Sequence, residues 1–329
     1  MNPGVKQLLK AFTIVFALAA AGVSVGAAPL SSWNYRQWLT EDGLPDISIS
    51  GVAQTMDGYM WVATKGGLAC FNGQQFSTLP MANFPVMPSR SVRAILRDGR
   101  DRIWMAMERG PVFCLGQDGL QTFTASNGLV DVSISAPSLW VSMMLEDKSG
   151  GVWVVYPGDL RRIFKGKVQM VPLPDDGKSR ANLYVTSDGQ GEIWSSMGGL
   201  LSVWRESKWQ PKTLFDEAIL AMASAGKSAL WVATSRSLFR FDEGQTPVKV
   251  AEFPGQAKPS ALMESSAGNL WVGTFNDGLF QLIEGDFQSV PTSQREITCL
   301  FEDRDGNIMA GTAGGGLNLI RPQAVALFD

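Results

Sequence analysis

The chain has 329 residues, 45% hydrophobic and 18% charged, which is enough apolar material for a large core. It contains no histidine, which removes Ser-His-Asp and Cys-His nucleophilic schemes, imidazole acid–base chemistry and imidazole metal sites. A formal net charge of −3 without any Lys/Arg-rich tract argues against a nucleic acid or an anionic lipid surface as partner.

In chain order, the first segment reads as a processing signal. Lys6 and Lys10 form a short basic region, Ala11 to Ala21 is apolar and uncharged, and Val25-Gly26-Ala27-Ala28 supplies small residues for cleavage. The pattern predicts a signal peptide over 1–27, cut after Ala27, with an uncleaved anchor as the alternative; the apolar run is short for a span of about 20 residues. Losing Lys6 and Lys10 leaves 26 basic against 31 acidic residues. The three cysteines, Cys70, Cys114 and Cys299, are too few for a disulfide scaffold and read as small buried hydrophobes.

From residue 28 onward one unit recurs. Tyr59-Met60-Trp61-Val62-Ala63-Thr64 returns as Arg102-Ile103-Trp104-Met105-Ala106-Met107, as Gly151-Val152-Trp153-Val154-Val155-Tyr156 and as Glu192-Ile193-Trp194-Ser195-Ser196-Met197. Three further copies centre on Trp231, Trp271 and Met309, the last with Met in place of Trp. Seven copies about 40 residues apart signify an array of supersecondary units. Each copy shows an alternating run, an Asp/Gly turn, the Trp run, a second Gly-rich turn, a third run, a short turn and an outer run. Pairs such as Asp57-Gly58, Asp98-Gly99 and Asp188-Gly189 are expected to supply the positive φ of the first turn. Four short antiparallel strands per copy predict an all-β, seven-bladed β-propeller over 28–329. The bulky side chains read as packing wedges.

The seventh copy has only three strands, ending near Leu317-Asn318-Leu319-Ile320. An unpaired edge is a liability. Tyr35-Arg36-Gln37-Trp38-Leu39 alternates as an outer strand should and is predicted to close the ring onto blade 7; the tail, Ala324 to Phe328, is the competing donor.

Trp38-Leu39-Thr40-Glu41-Asp42-Gly43-Leu44-Pro45, followed by Asp57-Gly58-Tyr59-Met60-Trp61-Val62-Ala63-Thr64-Lys65-Gly66-Gly67-Leu68, resembles the two-component regulator propeller repeat of bacterial sensor proteins. Ser126-Asn127-Gly128-Leu129 echoes its entry turn, and blades 3 and 4 match least well. The resemblance implies a periplasmic propeller that binds a small molecule or an oligosaccharide. It also implies an immunoglobulin-like module, a transmembrane helix and a histidine kinase or diguanylate cyclase downstream. The sequence stops at Asp329 without those parts, so a fragment is expected, with a free-standing propeller as the alternative.

Chemistry-bearing motifs are few. Gly314-Gly315-Gly316 lacks the Lys and the helix of a phosphate loop, and Asp303-Arg304-Asp305-Gly306-Asn307 has its Gly fourth instead of sixth for a calcium loop. No catalytic residue, metal site or cofactor is assigned. The second-to-third-strand turns and the links between blades should share one face around a central funnel. That places Lys65, Glu108, Arg109, Tyr156, Asp159, Arg236, Phe275, Asn276 and Asp277 together, with Asn83, Phe84, Arg90 and Trp140 from the links. Aromatic faces beside amide, carboxylate and guanidinium groups suit a polar ligand. Three classes remain open: a periplasmic sensor domain, a protein-binding scaffold in the cell envelope, and a lyase or hydrolase. The last is either a polysaccharide lyase or glycosidase using Glu108, Asp159 or Asp277, or a streptogramin-type lyase, a resemblance that implies a catalytic histidine this chain lacks.

Overall fold

The computed structural model describes residues 33–79, 89–131, 140–174 and 183–322. The expected leader, the tail at 324–328, Asn83 and Phe84 lie outside these residues. Among the described residues the chain forms seven four-stranded sheets, every strand pair antiparallel. In blade 1 the order from axis to rim is Ile49–Gln54, Met60–Thr64, Gly67–Phe71 and Phe76–Thr78. Blades 2 to 6 repeat that order over Val92–Phe123, Met143–Met170, Leu183–Leu214, Ile219–Glu252 and Pro259–Val290. Each inner strand contacts the next, and blade 7 meets blade 1 again, so the ring is closed.

The closing strand is the expected one. Trp33–Trp38 forms the rim of blade 7, pairing antiparallel with Leu317–Pro322. It also ties that blade to both neighbours. Trp33 meets Trp271 of blade 6 edge to face at 5.2 Å, and Trp38 lies 5.4 Å from Phe71 and 5.7 Å from Phe76 of blade 1. Such pairs add about 1 kcal/mol each beyond their burial.

The repeated tryptophans pack between blades, as their spacing implies. Trp153 and Trp194 are fully buried, Trp104, Trp231 and Trp271 nearly so, and Trp61 half-buried. Each shares an apolar cluster with side chains of an adjacent sheet, for example Trp104 of blade 2 with Val152, Val154 and Ile163 of blade 3. Burial of one such ring contributes about 2–3 kcal/mol.

Burying an indole also buries its N–H, and the residue six positions upstream answers that need in three blades. Asp98 accepts from Trp104 at 2.8 Å, Asp147 from Trp153 at 2.8 Å and Asp188 from Trp194 at 3.0 Å. The same carboxylates cap the first turn, Asp98 through the backbone N–H groups of Arg100 and Arg102. Ala225 holds that position in blade 5, and Trp231 donates instead to Glu264 of blade 6 at 2.8 Å. Thr55 and Ser265 hold it in blades 1 and 6, where the indole N–H groups of Trp61 and Trp271 find no partner among the described residues.

This anchoring corrects the expected turn register in blades 2 and 4, while Gly58 (φ 95°) takes the expected positive φ in blade 1. The left-handed residue is three places after the Asp: Asp101 (φ 61°) in blade 2 and Gly191 (φ 73°) in blade 4, not Gly99 or Gly189. The turn is framed by Asp98 N–H and Arg102 O at 3.0 Å, so the Asp–Trp spacing fixes it and the Asp-Gly pair does not.

Blade 4 departs from its neighbours in its core. Ser195, Ser196 and Ser202 are fully buried, and their hydroxyls have no partner among the described residues. Each such group costs roughly 1–3 kcal/mol.

Three outcomes follow, all readable by urea denaturation. Asp98→Ala should lower stability by roughly 3 kcal/mol, because it orphans both Trp104 and Arg102. Ser265→Asp should raise it by about 1 kcal/mol by giving Trp271 an acceptor, and Ser196→Ala should also raise it. Burial alone would raise the Asp98 and Asp147 carboxyls, but hydrogen bonds from Trp104 and Arg102, and from Arg162, Ser149 and Trp153, outweigh it and hold both below the ordinary 3.8. Their contribution is therefore complete above that pH and is lost as pH falls through their folded values. Asp147→Asn should flatten this acid limb.

Candidate funnel-face binding site

The axis of the ring opens into a cavity of about 570 Å³. Its mouth is built from second-to-third-strand turns (Lys65, Pro157, Gly158, Phe275, Ala313) and from the links that lead into inner strands (Ser48, Trp140, Ser142, Glu296). The two kinds of loop share one face, as the strand order requires.

The floor comes from the inner strands. In blades 1, 2, 5, 6 and 7 the register slips at one equivalent position, so that Ser50, Arg93, Leu220, Ser260 and Thr298 are left without a cross-strand partner. A bulge re-aims its side chain. Ser50, Arg93, Ser260 and Thr298 all line the cavity, beside Tyr184 of blade 4.

Three of these side chains also latch the ring. Ser260 Oγ donates to the Ile297 carbonyl at 2.6 Å, Thr298 Oγ1 to the Ile49 carbonyl at 2.7 Å, and Ser50 Oγ to the Val92 carbonyl at 2.5 Å. Blade 6 is thus stapled to 7, 7 to 1 and 1 to 2. At the next step Arg93 places its guanidinium over the Trp140 ring, 5.2 Å from the centroid. Burial pushes the Tyr184 phenol above its ordinary pKa, so it stands at the wall as a neutral donor and acceptor. Lys65, Arg93 and Glu296 bring both signs of charge to the rim and wall.

The expected site residues fall into four groups. Lys65 and Phe275 line the cavity, Phe275 with half its surface exposed, and Trp140 joins them. Arg90, Glu108, Arg109 and Arg236 are exposed outside the lining, Arg236 facing Glu217 at 3.4 Å. Asn276 and Asp277 hold loop structure: Asn276 accepts from Lys258 N–H and donates to the Gln256 carbonyl, both at 3.3 Å, and Asp277 N–H reaches Thr274 Oγ1 at 2.9 Å. Asp159 starts a third strand and takes Arg161 in two prongs, 2.7 and 2.9 Å. Tyr156 is not at the funnel surface. It ends the second strand on the side of Val152 and Val154 and is 1% exposed. Burial first, and the charge of Asp159 second, raise its phenol.

Ser50, Arg93, Tyr184, Ser260 and Thr298 are absent from the sequence expectation. The signal was present: each is the second residue of an otherwise apolar run, as in Val92-Arg93-Ala94 and Ile297-Thr298-Cys299. Strand alternation alone assigns such a residue to an outward face. Only closure of the ring turns that face into a channel wall.

The turn leading into blade 1 has a definite physical form. Thr40–Asp42 is one 3₁₀ turn, Asp42 accepts from the Leu39 N–H at 2.8 Å, and Gly43 takes φ 103°. Leu44 is buried, and a Cβ at Gly66 would stand 2.4 Å from the Pro45 carbonyl oxygen. The entry turn thereby seats on the second-to-third-strand turn of its own blade. Residues 43–66 match the family model of the two component regulator propeller.

This segment is a two component regulator propeller repeat. No curated protein matches the chain. Among solved structures, a protein described as the extracellular domain of the hybrid two component system BT3049 of B. thetaiotaomicron is similar with a TM-score of 0.71 and 17% identity. The match takes in 89% of this chain and 42% of that one, so the propeller corresponds to less than half of that domain. A streptogramin B lyase is similar at 0.71 and 13%, covering 88% of this chain and 98% of the other. Virginiamycin B lyase from Staphylococcus aureus follows at 0.70 and 16%, covering 88% and 99%. At these identities the likeness is one of fold. Within that fold the propeller repeat of blade 1 accepts the Thr298 latch from blade 7, and Thr298→Val should cost about 1 kcal/mol in denaturation while leaving the fold unchanged by circular dichroism.

Proposed function

We propose that the chain is the exported, ligand-sensing propeller of a signal-transduction receptor, and that it holds a polar small molecule or an oligosaccharide at the funnel mouth. The observation that carries this reading is the coincidence of a two component regulator propeller repeat with an axial cavity walled by Trp140, Phe275 and Tyr184 and by Arg93, Lys65 and Glu296. Aromatic faces with a few convergent polar groups are the usual make-up of a small-molecule site. Sugars present apolar ring faces and hydroxyl edges, which such walls match.

Export is supported by the apolar, charge-free run after Lys6 and Lys10, and by a similar propeller that forms part of an extracellular domain. A ligand touching several inner strands would bias how blades 3 and 4 sit against the stapled arc of blades 6, 7, 1 and 2. A preference for one arrangement is all that a downstream kinase or cyclase needs as input. The lyases share the fold, but a His-to-Ala form of the S. aureus enzyme is described as catalytically inactive, and this chain contains no histidine. Binding without turnover is the better reading.

A thermal-shift screen of the full chain against oligosaccharides and polar metabolites tests it. A ligand at 100 times its Kd adds about 2.7 kcal/mol to stability, an easily read rise in Tm. Arg93→Ala and Trp140→Ala should each weaken that ligand at least tenfold, while the unliganded protein loses no more than the about 1 kcal/mol of their cation–π contact. A ligand whose affinity ignores both changes, or one that is turned over by the purified protein, would overturn the proposal.

A further inference from the structure

Six blades fill the same inter-blade slot with an indole, and blade 7 puts Met309 there. The surroundings of that slot are otherwise retained. In blade 2, Asp98 Oδ2 accepts two hydrogen bonds, from Arg102 Nε at 2.7 Å and from Trp104 Nε1 at 2.8 Å. In blade 7, at the same spacing, Asp303 Oδ2 accepts from Asn307 Nδ2 at 2.8 Å, and Met309 brings no N–H. The acceptor is built for two donors and the chain supplies one.

The apolar half of the slot is also formed. Trp104 shares its cluster with Val152 and Ile163 of blade 3. The corresponding residues beside Met309 are Met60 and Phe71 of blade 1. Those three side chains line a cleft of about 350 Å³ between blades 7 and 1. Trp38 extends the aromatic wall, its ring 5.4 Å from that of Phe71. The cleft includes Gly58, Gly73 and Asp305 from first and third turns, so it opens on the face opposite the funnel. Two exposed guanidinium groups stand at its rim, Arg321 and Arg36, the latter 5.1 Å over the Trp38 ring.

We propose that this cleft is a second binding site, for a flat aromatic molecule bearing a ring N–H and an anionic substituent. The ring lies over Phe71 at the mouth of the slot, whose depth the buried Met309 and Met60 fill. The ring N–H donates to Asp303 Oδ2, and the anion meets Arg36 and Arg321. The site is independent of the funnel, and neither reading rests on the other.

Indole-3-acetate is the probe, with naphthalene-1-acetate as a ligand of similar shape that has no N–H. Titration of the full chain should give a saturable rise in Tm with indole-3-acetate and at least tenfold weaker binding of the naphthalene analogue. Met309→Trp should itself melt higher than the wild type and show no rise with the probe, because its bulkier indole reaches out into the cleft and to Asp303. In case that variant misfolds, ¹³C-methyl spectra of the wild type read the site directly, with the Met60 and Met309 methyls shifting on titration and the distant Met170 methyl unmoved. No saturable response, equal affinity for the two acids, an undiminished response in Met309→Trp, or methyl shifts away from Met60 and Met309 would each overturn the proposal.

Discussion

A sheet of four short strands has two faces, and nothing within the sheet can cover either. Every blade here is stable only because a neighbour lies against each side of it, and that mutual dependence organises the rest of the molecule. It explains why a bulky side chain recurs on the second strand, where the gap between diverging sheets must be filled. It explains why that filling carries a polar condition, since an indole placed between sheets brings an N–H that needs an acceptor. Asp98, Asp147 and Asp188 meet the condition while also capping a turn, so one carboxylate joins local backbone geometry to inter-blade packing.

The same dependence sets the position of the funnel site. Inner strands crowd the axis, and bulges near the starts of four of them turn Ser50, Arg93, Ser260 and Thr298 into the channel. Three of these are hydroxyls that bond the next blade, so residues that line the cavity are also those that hold adjacent sheets in register. Cavity wall and inter-blade staple therefore share atoms on the arc from blade 6 to blade 2. Beyond it the contacts at the axis are of another kind, a cation–π pair at Arg93 and Trp140 and the phenol of Tyr184.

Much of this was legible in the chain itself. Strand type, blade number and the closing strand follow from the spacing of Trp61 to Met309 and from the alternation of Tyr35 to Leu39, because hydrophobic period and edge pairing are local or countable properties. The site was legible only in part. Lys65 and Phe275 could be placed because they sit in turns whose side of the ring is fixed by strand order. Tyr156 was misjudged because one step at the end of a strand exchanges a loop position for a core position. Arg93 and Thr298 were overlooked because a bulge adds a residue without any mark in composition. The turn register erred at Gly99 and Gly189 for a related reason: a side-chain acceptor six residues from a Trp outranks a favourable dipeptide.

The antiparallel closure has a mechanical consequence. Trp33 stands opposite Pro322, at the same end of the seam. Tension applied through these two residues would load the rungs of the ladder one after another, from that end toward Trp38 and Leu317, instead of shearing them together. The ring is thus weakest to pulling at the very seam that completes it. The aromatic contacts of Trp33 with Trp271 and of Trp38 with Phe71 act as rivets at the two ends of a zipper.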